Sequence, residues 1–298
     1  MRTTFLSVVN VQTTCAATLR RVVDQVPNCI RVFSDEVYER SAIVVHGEEC
    51  SLVEYVQRIA RVVVDSPTAL SSLSGNEFAH NHAGLVDIIP ISPLEPTPDS
   101  LKTAERMASR VGSWIGANLD IPVFMYNDGN LPNVRKMKTS FFFNSKRDSQ
   151  PDFGPSTGDS QFGCTLVGGC RYTLNHNVRL ATELSVARTV AKAIRESSKQ
   201  PTSLHGVDTM AFQYRDPAVV EVACNLRNSQ LVDGAAVSRA IAALAPALYS
   251  YQTTPTYDEL GRLVSWDHQQ CEWRMPPESL ARADDLPWKE VDKLFYDC

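Results

Sequence analysis

The feature of this sequence that most constrains its fold is an order of apolar patterns that occurs twice. In residues 4–94, short runs rich in Val and Ile alternate with two stretches of helical apolar spacing, in the order β-α-β-β-α-β. The order begins again after residue 163. Because it is typical of the split βαβ, or ferredoxin-like, unit, we predict an α+β protein of two ferredoxin-like (βαββαβ) subdomains. We expect a ligand cleft between them, since domain junctions are preferred small-molecule sites.

The predicted subdomains are followed by an extension. The first covers residues 1–162 and includes a long loop, residues 128–161, of a length that is often functional. The second covers residues 163–252, and the C-terminal extension covers residues 253–298. The extension carries three tryptophans: Trp266, Trp273 and Trp288. They indicate either packing back onto the second subdomain or a docking surface for a partner.

Three local patterns refine the predicted elements. Ser51 and Glu54 have the spacing of a capping box, which predicts that Ser51 caps the second helix. Residues 164–175 predict the first strand of the second subdomain. Residues 235–251 predict its last helix.

Composition and charge argue against several classes of function. The net charge of -5 provides no polycationic surface, so we expect no direct contact with nucleic acid. No apolar run reaches the roughly 20 residues that cross a bilayer, so we expect no membrane span. Eight cysteines without a CxxC pair favour reduced, core-filling thiols. We expect a cytoplasmic location, with a mitochondrial one as the alternative because residues 1–21 contain Arg, Ser and Thr but no acidic residue.

Two histidines stand before an apolar run that predicts a buried strand. His80 and His82 are two residues apart, so in an extended segment their side chains lie on one side. They suit a polar strand entry, a metal site or a general base, because an imidazole titrates near neutral pH. No third ligand follows at a recognisable spacing, so we expect no metal.

The segment "PDFGPS" lies in the long loop. A proline on each side of Asp-Phe-Gly stiffens the backbone, and Gly154 permits a positive φ or a close approach. Asp152 is therefore expected in a fixed pose, either within a rigid turn or as a ligand contact.

The segment "GCTLVGGCRYTLNHNVRL" has two adjacent glycines, Gly168 and Gly169, inside a strand pattern. They predict either a kinked strand with a solvated arginine or a backbone that a ligand approaches closely. In the second case Arg171 and Asn177 would face that ligand.

In their order and spacing, these segments resemble the formiminotransferase domain family. "HNHAGLVDIIPISPL" has the shape of the family's H-P-R-M/L-G-A/V-x-D segment and the strand that follows it. "QPDFGPS", "GCTLVGGCRYTLNHNVRL", "DIPVFMYND" and "VDTMAFQYRDPAVVEVACNL" match further family segments. The resemblance covers about residues 4–244 and looks closest to short members that lack a cyclodeaminase half.

The resemblance implies a folate-dependent transferase. Members bind tetrahydrofolate between two ferredoxin-like subdomains and move a formimino group from formiminoglutamate onto N5 of the pterin. The family's catalytic histidine falls on His80, which would act as general base. Positions that would contact substrate or folate are His82, Asp87, Arg40, Asp152, Gly154, Arg171 and Asn177. The implied ligand is tetrahydrofolate, with no metal.

The sequence also departs from the family pattern. Asn81 and His82 replace a Pro-Arg pair, Glu39 replaces an asparagine, and "NVQTTCA" replaces an N-F-S-E-G/N loop. Two hypotheses remain. The chain is a one-carbon transferase that uses His80, or it is a catalytically inactive relative that binds folate or forms a structural subunit. In the second case a homo-oligomer or a complex would form through the C-terminal extension.

Overall fold

The chain folds into two compact α+β units, each built on its own β-sheet. The computed structural model describes residues 3–66, 82–128, 150–156, 162–264 and 271–276. The first unit comprises Met1–Tyr172 and Trp266–Cys298, and the second comprises Thr173–Ser265.

The helices and strands follow one another in the order predicted for the first half of the chain. They are β1 (Phe5–Val11), α1 (Ala16–Gln25), β2 (Cys29–Asp35), β3 (Arg40–Gly47), α2 (Glu49–Val64), β4 (Ile88–Pro93), α3 (Pro98–Leu119), β5 (Val123–Asn127) and β6 (Thr165–Gly169). The remainder are β7 (Leu174–Leu180), α4 (Leu184–Ile194), β8 (Val207–Gln213), β9 (Val220–Leu226), α5 (Gly234–Ala242), β10 (Ala247–Gln252), α6 (Tyr257–Val264) and β11 (Glu272–Arg274).

The first sheet has the strand order β11-β2-β3-β1-β4-β6-β5. The pairs β2–β3, β3–β1 and β1–β4 are antiparallel, whereas β6 pairs parallel with both β4 and β5. Strands β1 and β3 contribute apolar residues of one face to the core, and Val9 and Ile43 are fully buried there. Helices α1, α2 and α3 contribute Leu19, Ile59 and Met107 to the same core.

The ends of the helices follow their local sequences. Helix α3 begins with a capping box in which the Thr97 side chain accepts from the Ser100 N–H, and Pro98 occupies its first turn. The predicted cap of α2 is wrong, because the helix already begins at Glu49. Ser51 therefore lies within the first turn, where its hydroxyl donates to the Glu48 carbonyl at 3.1 Å.

The second sheet has the order β10-β7-β9-β8, and all neighbouring strands are antiparallel. Its core lies between one sheet face and the helices, where Val178 and Val222 pack with Val190 and Ile241. This unit is smaller than the first and has its own hydrophobic core.

Two predicted elements of the second half are wrong. Residues 165–169 form β6, which belongs to the first sheet, so the second unit begins with β7. Residues 247–252 form strand β10 instead of continuing the last predicted helix. Pro246 explains the second error, because proline lacks the N–H that a continuing helix needs and alternating Tyr249 and Tyr251 favour a strand.

The C-terminal extension contributes to both units. Helix α6 is part of the second unit, whereas β11 pairs parallel with β2 at the edge of the first sheet. Trp273 therefore packs against the first core, and the expectation that it packs onto the second subdomain is wrong. Trp266 and Trp288 lie outside the described residues. Within the ranges that are described, no helix is both long and apolar enough to span a bilayer.

Candidate functional site

The predicted base, His80, lies outside the described residues, as does Asn81. The next described residue is His82, which is 8% exposed. His82 begins the segment 82–87 that leads into β4. We call it the histidine segment, and its contacts with β1 and β3 hold it in the first unit.

Asp87 anchors this histidine segment. Its side chain is fully buried just before β4, where Oδ1 accepts from the Ala83 N–H at 2.7 Å. Its Oδ2 lies 3.1 Å from Nη1 of Arg40 at the beginning of β3. The Asp87 N–H donates to the Asn10 carbonyl at 2.9 Å. We call Arg40, His82, Ala83 and Asp87 the Asp87 cluster. The carboxylate joins the residue after His82 to β3, and the backbone N–H of Asp87 joins the same segment to β1.

Gln12 reinforces the same segment and was missed by sequence reasoning. Its backbone N–H donates to the Leu85 carbonyl at 2.8 Å, and its buried Nε2 donates to the Tyr38 carbonyl at 2.9 Å. A polar residue immediately after a buried strand was the available signal. Gln12 joins the histidine segment to the β2–β3 connection, which supports a rigid position for that segment.

Glu39 precedes Arg40 in a strained conformation. Its φ is 51°, in the left-handed region that non-glycine residues rarely adopt. Its Oε2 is buried and has no hydrogen-bond partner among the residues that the structure describes. The resemblance implies an asparagine at this position, a residue that adopts this conformation more readily.

The cysteines beside the Asp87 cluster are unsuited to nucleophilic catalysis. Burial and the negative charge of Asp87 raise the pKa of Cys164 to about 12. Burial and the charge of Asp128 raise the pKa of Cys170 to about 12. Because the thiolate is the reactive form, these thiols stay inert at neutral pH. No group of three or more His, Cys, Asp or Glu side chains in the described ranges is arranged to hold a metal ion.

Asp152 and Gly154 form a rigid turn against β5 and α3. The Asp152 Oδ2 accepts from the Met125 N–H at 2.7 Å, and the Phe153 carbonyl accepts from the Val123 N–H at 2.9 Å. Gly154 has a φ of 84°, and a Cβ built on it would lie 2.4 Å from the Ile121 carbonyl oxygen. Both residues therefore hold the polypeptide together at this edge of the first unit.

The paired glycines of β6 admit neighbouring groups of the protein. A Cβ on Gly168 would lie 2.4 Å from the Tyr126 ring, and one on Gly169 would lie 2.3 Å from the Glu105 nitrogen in α3. The predicted close approach is thus made by the protein itself. Arg171, which follows them, donates from Nη1 to Asp128 at 2.7 Å, and its side chain remains 55% exposed.

Asn177 belongs to a buried polar network in the second unit. Its Nδ2 donates to Glu221 at 3.2 Å and to the Tyr251 hydroxyl at 3.3 Å. Arg179 lies opposite Glu221 across β7 and β9, with Nε 2.8 Å from Oε2, and both side chains are almost fully buried. The Tyr214 ring covers the guanidinium at 3.5 Å. Sequence reasoning missed Arg179, Glu221 and Tyr251.

The structure thus brings together two of the predicted site residues, Arg40 and Asp87, and His82 directly precedes Ala83, whose N–H bonds to Asp87. Asp152 and Gly154 share a turn elsewhere in the first unit, and Arg171 pairs with Asp128. Asn177 lies within the second unit. Arg40, Asp87, Asp152, Gly154, Arg171 and Asn177 each have a structural role that is visible without a ligand.

Comparison with known families agrees with the resemblance seen in the sequence. The family described as "Formiminotransferase domain, N-terminal subdomain" matches residues 11–170, more than half of the chain. The matched region begins at the end of β1 and extends beyond β6, so it includes the whole Asp87 cluster.

Individual relatives extend over more of the chain. A glutamate formimidoyltransferase from Thermoplasma acidophilum is 28% identical over 179 residues, which are 55% of this chain and 56% of that protein. A formiminotransferase cyclodeaminase-like protein from Arabidopsis thaliana is 27% identical over 229 residues, 69% of this chain and 73% of that protein. A formimidoyltransferase-cyclodeaminase from Mus musculus is 22% identical over 222 residues, 70% of this chain and 40% of that protein.

The shares differ among the relatives. The match spans little more than half of the archaeal protein and less than half of the mouse one. The family match rests on the first unit, and it covers the segment that Asp87 fastens to the central strands. The chain belongs to the formiminotransferase domain family.

Proposed function

We propose that this protein transfers the formimino group of formiminoglutamate to N5 of tetrahydrofolate, with His80 as general base. The family match includes His80 and the Asp87 cluster, and the archaeal relative bears the name of this activity.

The observation that carries the proposal is the buried carboxylate of Asp87. A fully buried carboxylate is costly unless it is paired, and here Oδ1 accepts from the Ala83 N–H while Oδ2 forms an ion pair with Arg40 but no hydrogen bond within the described residues. Ala83 directly follows His82. A catalytic group needs support of this kind, because positioning within a fraction of an ångström decides the rate.

The proposed chemistry requires one proton to be moved twice. His80 removes the proton from N5 as this nitrogen attacks the formimino carbon, and a tetrahedral intermediate forms. The protonated imidazole then donates that proton to the departing glutamate nitrogen, and the carbon–nitrogen bond to glutamate breaks. An imidazole suits both steps, because its ordinary pKa lies near the operating pH.

The other predicted contacts are assigned to binding. His82 and Arg40 would border the reacting groups, with Asp87 as their positioning residue. Arg171 would exchange its exposed ion pair with Asp128 for a carboxylate of folate or of glutamate, since the fork of a guanidinium binds carboxylates well. Tetrahydrofolate is the ligand, and no metal takes part.

We also infer that both units have the ferredoxin-like fold. The order β2-β3-β1-β4 in the first sheet and the order β8-β9-β7-β10 in the second are equivalent, and all of these neighbours are antiparallel. In the first unit, β5, β6 and β11 would be additions to that shared unit. These orders support the inference together with the repeated β-α-β-β-α-β sequence pattern.

Formimino transfer can be measured directly with formiminoglutamate and tetrahydrofolate. His80→Ala should lower kcat by roughly 10²- to 10⁴-fold, the usual contribution of general acid–base catalysis. The matched control is His205→Ala, because His205 is exposed in the second unit and pairs with Glu196. If His80→Ala turns over as fast as the wild type, the assignment of the base is wrong.

A second candidate is a catalytically inactive relative that binds folate. It is favoured by Arg40 and Arg171, which already pair with Asp87 and Asp128, and by the strained Glu39 that replaces the family's asparagine. This candidate predicts stabilisation by tetrahydrofolate without any turnover. A structural-subunit role would instead require self-association or a copurifying partner, which light scattering and pull-down under native conditions can detect.

A further inference from the structure

Two cysteines distant in sequence meet at the edge of the first sheet. The Sγ atoms of Cys29, at the start of β2, and Cys271, next to β11, are 3.5 Å apart. Cys29 is buried, and Cys271 is half-buried. Both thiols are free, and their separation is close to van der Waals contact.

The contact is held in place by the pairing of β11 with β2. The two strands run parallel, with Glu272 opposite Arg31. Arg31 is nearly fully buried, and its Nε and Nη2 donate to one oxygen of Glu272 at 2.9 and 2.6 Å. This charge-assisted fork fixes the residue after Cys271 and aligns the two sulfurs.

We propose that Cys29 and Cys271 are a redox-active pair that forms a reversible disulfide and fastens β11 to the first sheet. A disulfide requires Sγ atoms about 2 Å apart, so the sulfurs must approach by roughly 1.5 Å, within reach of side-chain rotation and a small shift of an edge strand. The site is separate from the proposed folate chemistry, and it remains whether or not that chemistry is found.

A peroxide is the oxidant that would convert the two thiols to a disulfide. The thiolate of Cys271 attacks one peroxide oxygen, the oxygen–oxygen bond breaks, and a sulfenic acid and water form. Cys29 then attacks that sulfur, the sulfur–sulfur bond forms, and a second water leaves with the remaining thiol proton. Two thiols are oxidised and one peroxide is reduced.

The environments of the two sulfurs assign their roles. The hydrogen bond with Cys271 and burial raise the pKa of Cys29 well above its ordinary value. Cys29 therefore stays protonated until its partner is oxidised, and it acts as the resolving thiol. Cys271 is the more accessible sulfur and meets the peroxide first.

Peptide mapping by mass spectrometry after mild peroxide treatment tests the pair. We expect a Cys29–Cys271 cross-linked peptide that has lost two hydrogen atoms and that a thiol reductant separates again. The oxidised protein should melt about 5 °C higher, since the bond closes a long loop of the unfolded chain. Glu272→Gln should slow cross-linking at least several-fold, because it weakens the fork that aligns the sulfurs.

The controls use the same mapping. Cys271→Ser should abolish the cross-link, and Cys50→Ser should leave it intact because Cys50 is exposed on α2. The wild-type map alone decides the matter if a variant does not fold. Overoxidation of Cys271 without a cross-link, its pairing with another cysteine, or two thiols that stay free would each overturn the proposal.

Discussion

Four strands of the first sheet follow the same order as the four strands of the second, but the two units bury their charges differently. In the first, Asp87 joins Arg40 to a backbone N–H of the histidine segment, and the Arg40 side chain stays 16% exposed. In the second, Arg179 and Glu221 are paired across β7 and β9 with almost no exposure. The first arrangement holds the segment that leads into β4, whereas the second lies between the two central strands of its sheet.

The difference indicates that buried charges have different roles in the two units. In the first they position a segment, and in the second they stabilise the sheet. The Tyr214 ring covers the Arg179–Glu221 pair and the Tyr251 hydroxyl bonds to both side chains, so the pair is enclosed within the unit. The Asp87 cluster borders a segment that carries two histidines. We therefore assign the chemistry to the first unit and a structural role to the buried pair of the second.

The largest expected effect comes from breaking the buried pair of the second unit. Glu221→Ala leaves the Arg179 charge buried and unpaired, which should lower the free energy of unfolding by about 3–5 kcal/mol. Urea unfolding followed by circular dichroism measures the change. Asp87→Ala should cost less in the same assay, because the partly exposed Arg40 can turn toward water.

A matched double variant sharpens this result. Arg179→Met combined with Glu221→Leu removes both charges and should be far less destabilising than Glu221→Ala alone. A loss below about 1 kcal/mol for Glu221→Ala would mean that water reaches the pair and that the contrast between the units is false.

The second expected effect is a pH dependence located in the second unit. Burial lowers the pKa of His176 to about 4, although the negative charge of Asp233 shifts it in the opposite direction. The ring Nε2 forms a hydrogen bond with the Ser238 hydroxyl at 2.8 Å. Because the unfolded histidine titrates near 6.5, the unfolded chain binds the extra proton between these values. Stability is thus fully present above about pH 6.5 and is lost as the pH falls toward 4, by on the order of 3 kcal/mol.

Urea unfolding between pH 7 and pH 4 checks this dependence. His176→Asn should flatten the profile relative to the wild type over that window, because an amide binds no proton there. Identical pH profiles for the two proteins would show that the histidine is not held neutral by its surroundings.

The smallest expected effects come from two helical glycines, one in each unit. A Cβ on Gly116 in α3 would lie 2.5 Å from the Gly154 nitrogen, whereas one on Gly261 in α6 meets no atom within 4 Å. Gly116→Ala should therefore destabilise the protein by about 1–3 kcal/mol. Gly261→Ala should stabilise it by about 0.5–1 kcal/mol, because alanine favours the helix. Melting temperatures that shift in the same direction for the two variants would contradict the packing described for these glycines.

Local patterns in the sequence predicted much of the fold. Runs of β-branched and aromatic residues identified β1, β2, β3, β8 and β9, since such side chains fit a pleated, half-buried surface. The sheet that a strand joins is decided by distant partners, so β6 was placed in the wrong half. The sequence indicates a close approach at Gly168 and Gly169. It does not indicate that the approaching groups are the Tyr126 ring and the backbone of α3.

The sequence predicts which residues form the candidate site but not which of them are in contact. Asp87 was named because of the family resemblance, yet its bonds to Ala83 and Arg40 depend on how β3 and β4 are arranged in the sheet. Arg179 was passed over because a charged residue in a strand usually faces water. Its burial follows from Glu221 on the neighbouring strand, a pairing that sequence spacing does not indicate.

The most direct test of the central claim is the rate of formimino transfer by Asp87→Asn beside a matched variant. Glu49→Gln is the control, because it also converts an arginine-paired carboxylate of the first unit to an amide, but at an exposed position on α2. We predict that Asp87→Asn remains folded and loses about 10²-fold in kcat, since the histidine segment is no longer held in place. Glu49→Gln should match the wild type. Equal rates for all three proteins would contradict the claim that the buried carboxylate positions the catalytic segment.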